Sequence, residues 1–264
     1  LTGLTGIRGG RGMVRAFLLR VTSIHTEREP TMRTALVLAL SATIATAAVA
    51  APSKKETRIL RDASAVVETL MATPDGDIPE DLLERAECIG VFPGVKKGAF
   101  VVGGEFGRGL VSCRAADGRM DAPAFYSIGG GSIGFQIGGS STDIVFLVMN
   151  PDGIKALVSD RVTIGAEASA AAGPVGRTAH AKTDVQLKAQ ILSWSRSRGL
   201  FAGASLDGAS VEPSEDANER LYGAKTSAKS ILVDHDKQVP VAATRFVQVI
   251  RKHTARPAGE GVGQ

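Results

Sequence analysis

The sequence predicts an α+β fold: a single domain built on a strongly curved, glycine-rich, mainly antiparallel sheet, flanked by an N-terminal amphipathic helix and short helices. Two observations carry that reading. From Cys88 to Gly139, apolar and small residues alternate with glycines and leave no long helical run. Val101, Gly103, Glu105, Gly107 and Gly109 fall on one side of a pleat, and Val102, Gly104, Phe106, Arg108 and Leu110 on the other. Glycine is poor in helices and in strands by propensity, so this density in strand-like runs marks backbones that bulge, curl or pass close together. The second observation is residues 54–71, where Ile59, Ala63, Val66, Val67 and Leu70 recur at helical spacing among charged residues.

Ahead of the domain, Arg33, the apolar run from Ala35 to Leu40 and the small residues ending at Ala50 make the three parts of a secretory signal peptide. Residues 32–50 are expected to be that signal, with cleavage before Ala51. The apolar run is too short and too rich in Thr and Ser for a membrane span. Residues 1–31 are expected to be an upstream extension or a disordered segment. The domain is then 51–252 and the tail 253–264 disordered, in a protein exported to the periplasm or the exterior and peripheral to a membrane.

Charge follows that division. Residues 1–50 hold six basic and two acidic side chains, which accounts for the whole net charge of +4. The rest holds 25 of each sign, so overall charge gives no support to nucleic-acid binding. The two cysteines, Cys88 and Cys113, lie at opposite ends of the first strand pair. They read either as a cross-strand disulfide or as two buried thiols, and without a histidine pair they make no zinc site.

After the first helix, ATPDGD breaks the pattern and Pro79 opens a short helix, PEDLLERA, with acidic residues in its first turn. Strands are predicted at 88–92, 99–106, 109–115, 123–128 and 131–137, with turns at 93–98 and at Asp117-Gly118. The run from Thr142 to Met149 is apolar on both faces and so needs cover on both. Asn150 to Gly153 ends it, a helical turn or two follows to Ser159, and 162–172 is strand-like. Residues 183–206 alternate most clearly: Val185, Leu187, Ala189 and Ile191 face one way, and Asp184, Gln186, Lys188 and Gln190 the other. Helices are predicted at 214–222 and 226–233, and a last strand or helix at 240–249.

These runs resemble the SYLF lipid-binding domain family, found in yeast actin-patch proteins. The matching segments are CIGVFPGVKKGAFVVGG (Cys88–Gly104), GRGLVSCR (Gly107–Arg114), APAFYSIGGGSIGFQIG (Ala122–Gly138), TDIVFLV (Thr142–Val148), AAGPVGR (Ala171–Arg177) and ILSWSRSRGLFAGASLDG (Ile191–Gly208). Met120-Asp121 departs from it, where the family usually has Trp and a small residue. The resemblance implies a curved mixed fold and, for eukaryotic members, binding to phosphoinositide membranes helped by an N-terminal amphipathic helix, in some cases with actin filaments. The chain resembles the exported bacterial branch.

Motifs for chemistry are weak. Gly129 to Gly134 satisfies both G-x-G-x-x-G and, around Ser132, G-x-S-x-G, but each motif needs a strand-to-helix turn that these residues do not predict. His180, His235 and His253 are scattered in polar surroundings. The expectation is therefore a non-enzymatic protein without a cofactor that binds anionic lipid headgroups or a membrane surface, and no nucleic acid. The alternative is a structural envelope module with a protein partner. Candidate lipid-binding residues are Lys54, Lys55, Arg58 and Arg61 on the first helix, Lys96 and Lys97 in the 93–98 turn, and Lys188, Arg196 and Arg198. Arg196 and Arg198 share a strand face at a spacing that brackets one phosphate, or else pair with Asp143, Asp184 or Glu105 to hold the sheet. The stripe Ile59, Val66, Val67 and Leu70 either enters a membrane interface or caps the open sheet.

Overall fold

The structure, a computed structural model, describes residues 52–72, 78–99, 103–132, 138–175, 188–197 and 200–256. Four long strands, β1 (Cys88–Ala99), β2 (Gly103–Cys113), β3 (Ala124–Ser132) and β4 (Gly138–Val148), form the body of one sheet. Five shorter ones complete it: β5 (Val162–Thr163), β6 (Ala170–Ala172), β7 (Ile191–Ser197), β8 (Leu200–Gly203) and β9 (Ser210–Pro213). Their order is β5-β9-β3-β2-β1-β4-β7-β6, with β8 also paired to β7. Only β6 with β7 is parallel, so the expected curled, mainly antiparallel α+β architecture is what forms.

Glycine and proline bend this sheet rather than end its strands. The 93–98 segment, expected as a turn, continues β1, and the register slips there against both β2 and β4. Pro93 offers no N–H, Gly94 takes φ +59°, and the Gly94 N–H donates to the Asp143 carboxylate at 2.9 Å. The result is a bulge that curls the strand. In the same way, the described parts of the strands expected at 99–106 and 109–115 run together as β2 from Gly103 to Cys113, while Ala99 ends β1. At Gly109 a Cβ would stand 2.3 Å from the Val91 carbonyl oxygen and 2.6 Å from the Phe92 ring, so a side chain has no room there. The strand expected at 131–137 falls mostly outside the described residues. The alternation of 183–206 does so up to Gln186 and Leu187, with β7 starting at Ile191. Asp117-Gly118 is a turn, with Gly118 at φ +78°, but inside a wider loop closed by the Arg114–Met120 bridge.

Both faces of the sheet are covered. The helices are α1 (Lys54–Ala72), α2 (Glu80–Arg85), α3 (Pro151–Leu157), α4 (Glu215–Tyr222), α5 (Ala228–Leu232) and α6 (Thr244–His253). The 240–249 segment is thus a helix, entered through a 3-10 turn at Val241–Ala243. On one face Leu60, Val66, Val67 and Leu70 of α1 pack with Val91, Leu110, Trp194 and, from α6, Phe246 and Ile250. On the other, Phe92, Tyr126 and Phe146 pack with Ile231 and Leu232 of α5. β4 shows why its sequence is apolar throughout: Val145 and Leu147 enter the first core, and Ile144, Phe146 and Val148 the second. Each such side chain is worth about 1.5–3 kcal/mol of burial. Cys88 and Cys113 face one another in register and form a disulfide in the second core.

Two polar devices fix the edges. Arg114 is buried and donates to the carbonyls of Leu83, Glu84 and Ala86 at the end of α2, to Gly118, and to Thr254 just beyond α6. A cation is well placed at two helix C-termini. Burial, with the nearby Arg256 charge, lowers its pKa to about 10. Thr254 is itself buried and Arg256 pairs with Glu87 at 3.0 Å, so the packed domain runs to at least Arg256, beyond the expected start of the tail. At the other edge Ser53 and Glu56 form a reciprocal cap of α1: the Ser53 N–H donates to Glu56 Oε2 at 2.6 Å and the Glu56 N–H to Ser53 Oγ at 3.3 Å. Glu56 Oε1 then accepts Arg220 Nε of α4 at 2.8 Å. Burial works against this carboxylate's charge, but the hydrogen bonds from the Ser53 amide and Arg220 outweigh it and hold the pKa below the usual range.

Replacing Arg114 by Met leaves its carbonyl partners without a donor, and the urea midpoint is expected to report a loss of about 3 kcal/mol, only partly restored by Lys. Glu56→Gln is expected to cost about 1 kcal/mol at neutral pH by weakening the cap and the Arg220 contact. Because the folded pKa is depressed, that advantage of the wild type is present above the ordinary value of 4.5 and fades as pH falls through the lower folded value. Urea unfolding of both proteins across pH 7 to 3 checks it, and a gap that stays constant contradicts it.

Candidate anion-binding groove

α1 lies across β1 and β2. Its inner stripe (Leu60, Ala63, Val67 and Leu70) is fixed to the core, which leaves Arg58, Asp62, Ala65 and Thr69 along one flank. On the sheet side, the register Lys96↔Ser141 and Asp143↔Arg196 brings residues of β1, β4 and β7 to one level. Together with Pro93 and Gly94 of the bulge they enclose a groove of about 490 Å³. Three of the predicted cations, Arg58, Lys96 and Arg196, meet in it.

They do different work. Arg196 is committed to the fold: its Nε donates to Asp143 Oδ2 at 2.9 Å, its guanidinium stands 5.4 Å from the Phe201 ring centroid, and both members of the pair are largely buried. Asp143 is also the acceptor for the Gly94 amide, so this pair forms one wall of the groove. The phosphate-bracketing use of Arg196 gives way to the pairing with Asp143, and Arg198 lies outside the described residues. Asp62 is held by Arg61 at 2.8 Å. Arg58 and Lys96 are exposed and make no ion pair with any described residue. The wall charges cancel in pairs, and two cations from two separate elements are left facing one cavity, the geometry that an anionic group with several oxygens satisfies.

The remaining candidates separate from this groove. Lys54 and Lys55 are exposed on the first turn of α1 and do not line it. Lys97 is in β1, but its side chain lies outside the description. Lys188 precedes β7 near the Cys88 and Val148 end of the sheet, away from Lys96. The membrane-inserting use of the α1 stripe is overturned: Ile59, Val66, Val67 and Leu70 are buried in the first core, where they cap the sheet.

A second cavity, of about 580 Å³, lies against α4 and includes Arg108, Asp160, Ser214, Glu215 and Arg220. The Arg108 Nε is buried there without a hydrogen-bond partner. The Ser53–Glu56 cap has a local signature, S-x-x-E ahead of an apolar helix, whereas its link to Arg220 is a tertiary contact that no local pattern announces. The catalytic motifs lose their setting: Gly129 to Ser132 are paired with Phe106 to Gly103 inside the sheet. His235 contacts Asp121, just ahead of β3, roughly 26 Å along the strand from Ser132. Among the described residues no group of three His, Cys, Asp or Glu side chains is placed to hold a metal ion, and no helix is long and apolar enough to cross a membrane.

A family profile described as Ysc84, Las17-binding protein actin regulator, matches residues 129–253. LAS seventeen-binding protein 3 of Saccharomyces cerevisiae is 33% identical over 215 residues, which are 80% of this chain and 46% of that protein. SH3 domain-containing YSC84-like protein 1 of Mus musculus is 30% identical over 210 residues, 79% of this chain and 61% of its own length. The Homo sapiens protein of the same name is 29% identical, with 79% and 60% covered. The chain spans between 46% and 61% of these relatives, so it corresponds to one portion of each. Aligned over most of its own length with proteins named for this domain, and folded as the curled α+β sheet described above, the chain belongs to the Ysc84 (SYLF) domain family.

Proposed function

We propose that this protein is a non-enzymatic binding module that docks on an anionic membrane surface, with acidic lipid headgroups received in the groove between α1 and the sheet. The observation that carries this reading is that Arg58 and Lys96, on separate elements and neither ion-paired with a described residue, face one cavity whose other charges, Asp62, Asp143 and Arg196, are in ion pairs. A second reading, a protein-contact module, draws on the names of the relatives, which are called Las17-binding and actin-regulating proteins. Residues 32–50 act in either case as an export signal, and the Cys88–Cys113 disulfide accords with an oxidising compartment of the envelope. Mass spectrometry of exported protein is expected to find Ala51 at the N-terminus and the two cysteines bridged. Material that retains residues 32–50 removes the export reading.

Flotation of the full chain with neutral and acidic vesicles tests the groove. Association is expected with acidic vesicles only and is expected to weaken with salt. R58A/K96A lowers affinity roughly thirtyfold, at about 1 kcal/mol for each cation near a charged surface. Arg196→Ala is a poor probe because it strands Asp143. Failure to float with any composition favours the protein-contact reading.

A further inference from the structure

We propose that the docking surface continues from the groove along the β1–β2 ribbon at the Lys96–Phe106 pair, where Phe106 is the hydrophobic anchor that enters the headgroup layer of an acidic bilayer. This rests on the membrane reading above and supplies the apolar contact that α1, with its stripe buried, cannot make. Phe106 is 56% exposed; the other exposed large apolar side chains among the described residues are valines. A single exposed apolar residue is ordinary. The surroundings of this one are specific. Lys96 stands directly opposite on β1, so the two side chains share a face. Arg108 is two residues further along that face, and no hydrogen bond satisfies its Nε. The position opposite on β3 is Gly129, which has no side chain to cover the ring.

The same face is closed a short distance away. Leu110 is fully buried in the first core, and Phe106 lies roughly 13 Å further along the strand. The cover therefore stops between these two positions, and the ring stands in the open beside the exposed Lys96, while Arg108 turns its half-buried guanidinium toward the α4 cavity. Neither Lys96 nor Arg108 forms an ion pair with a described carboxylate, and Arg58 faces Lys96 across the groove. Aromatic rings settle at the level of headgroups, with cations on the phosphates around them. Stacking of a nucleic-acid base on Phe106 would use the same ring, but residues 51–264, with 25 basic and 25 acidic side chains, offer no general attraction for a polyanion.

Full-length F106W protein, mixed with vesicles of equal parts phosphatidylcholine and phosphatidylserine, reports the depth of the ring. Trp194 is wholly buried and provides a constant background. The F106W emission is expected to shift to the blue and to be quenched by lipids brominated on the acyl chain. F106A is expected to keep its urea midpoint and the salt dependence of binding, and to lose affinity about tenfold. Binding of F106W without shift or quenching overturns the anchor, as does F106A binding like the wild type while R58A/K96A is impaired. Quenching by a single-stranded oligonucleotide but not by vesicles overturns it in favour of base stacking. If the wild type binds no vesicle of any composition, the membrane reading itself fails, and the anchor with it.

Discussion

The Asp143 carboxylate accepts the Gly94 amide at the bulge of β1 and the Arg196 guanidinium from β7, and so ties three neighbouring strands at the point where the sheet curls. β1 lies at the centre of that sheet, between β2 and β4. Without a fixed bulge the register after Phe92 would slip, and a slip of one residue sends every following side chain to the opposite face. Lys96 would then leave the groove and Phe106 would lose its partner across the ribbon. The arrangement of the candidate site is thus a consequence of one partly buried carboxylate with two donors. Removing either member of the Asp143–Arg196 pair would leave the other charge without its partner in a partly desolvated place.

Cations in this domain divide by what the fold has already asked of them. Arg114 is spent on five carbonyl oxygens at the ends of two helices and a turn, with no carboxylate bound to it directly. Arg196 is spent on Asp143 and Phe201, and Arg220 on Glu56. Arg58 and Lys96 form no ion pair with a described residue, and they converge on one groove. The candidate site proposed above is made of charges that no described residue pairs, and formal net charge does not reveal them.

α1 shows the same division in one element. Its apolar stripe is consumed by the first core, and its cap is linked to α4 through Glu56 and Arg220. A helix so engaged on one side offers a partner only its polar flank, so the groove is formed by α1 and the sheet together.

The sheet class, the first helix and the double-sided burial of β4 are legible in the sequence, because each rests on local periodicity and glycine content, whereas Cys88 and Cys113 stayed open between a bridge and two thiols until the strand register set them opposite one another. Tertiary structure alone decided that Pro93-Gly94 bends a strand instead of ending it, since Asp143, far away in the chain, supplies the acceptor that steadies the bulge. It also decided which of two equally good uses the α1 stripe serves, because an amphipathic pattern specifies a buried face and not what buries it. Arg58, Lys96 and Arg196 all read as cations in the sequence. Only the strand register, which puts Asp143 beside Arg196, separates that structural guanidinium from Arg58 and Lys96, which line the same groove without an ion pair to a described residue.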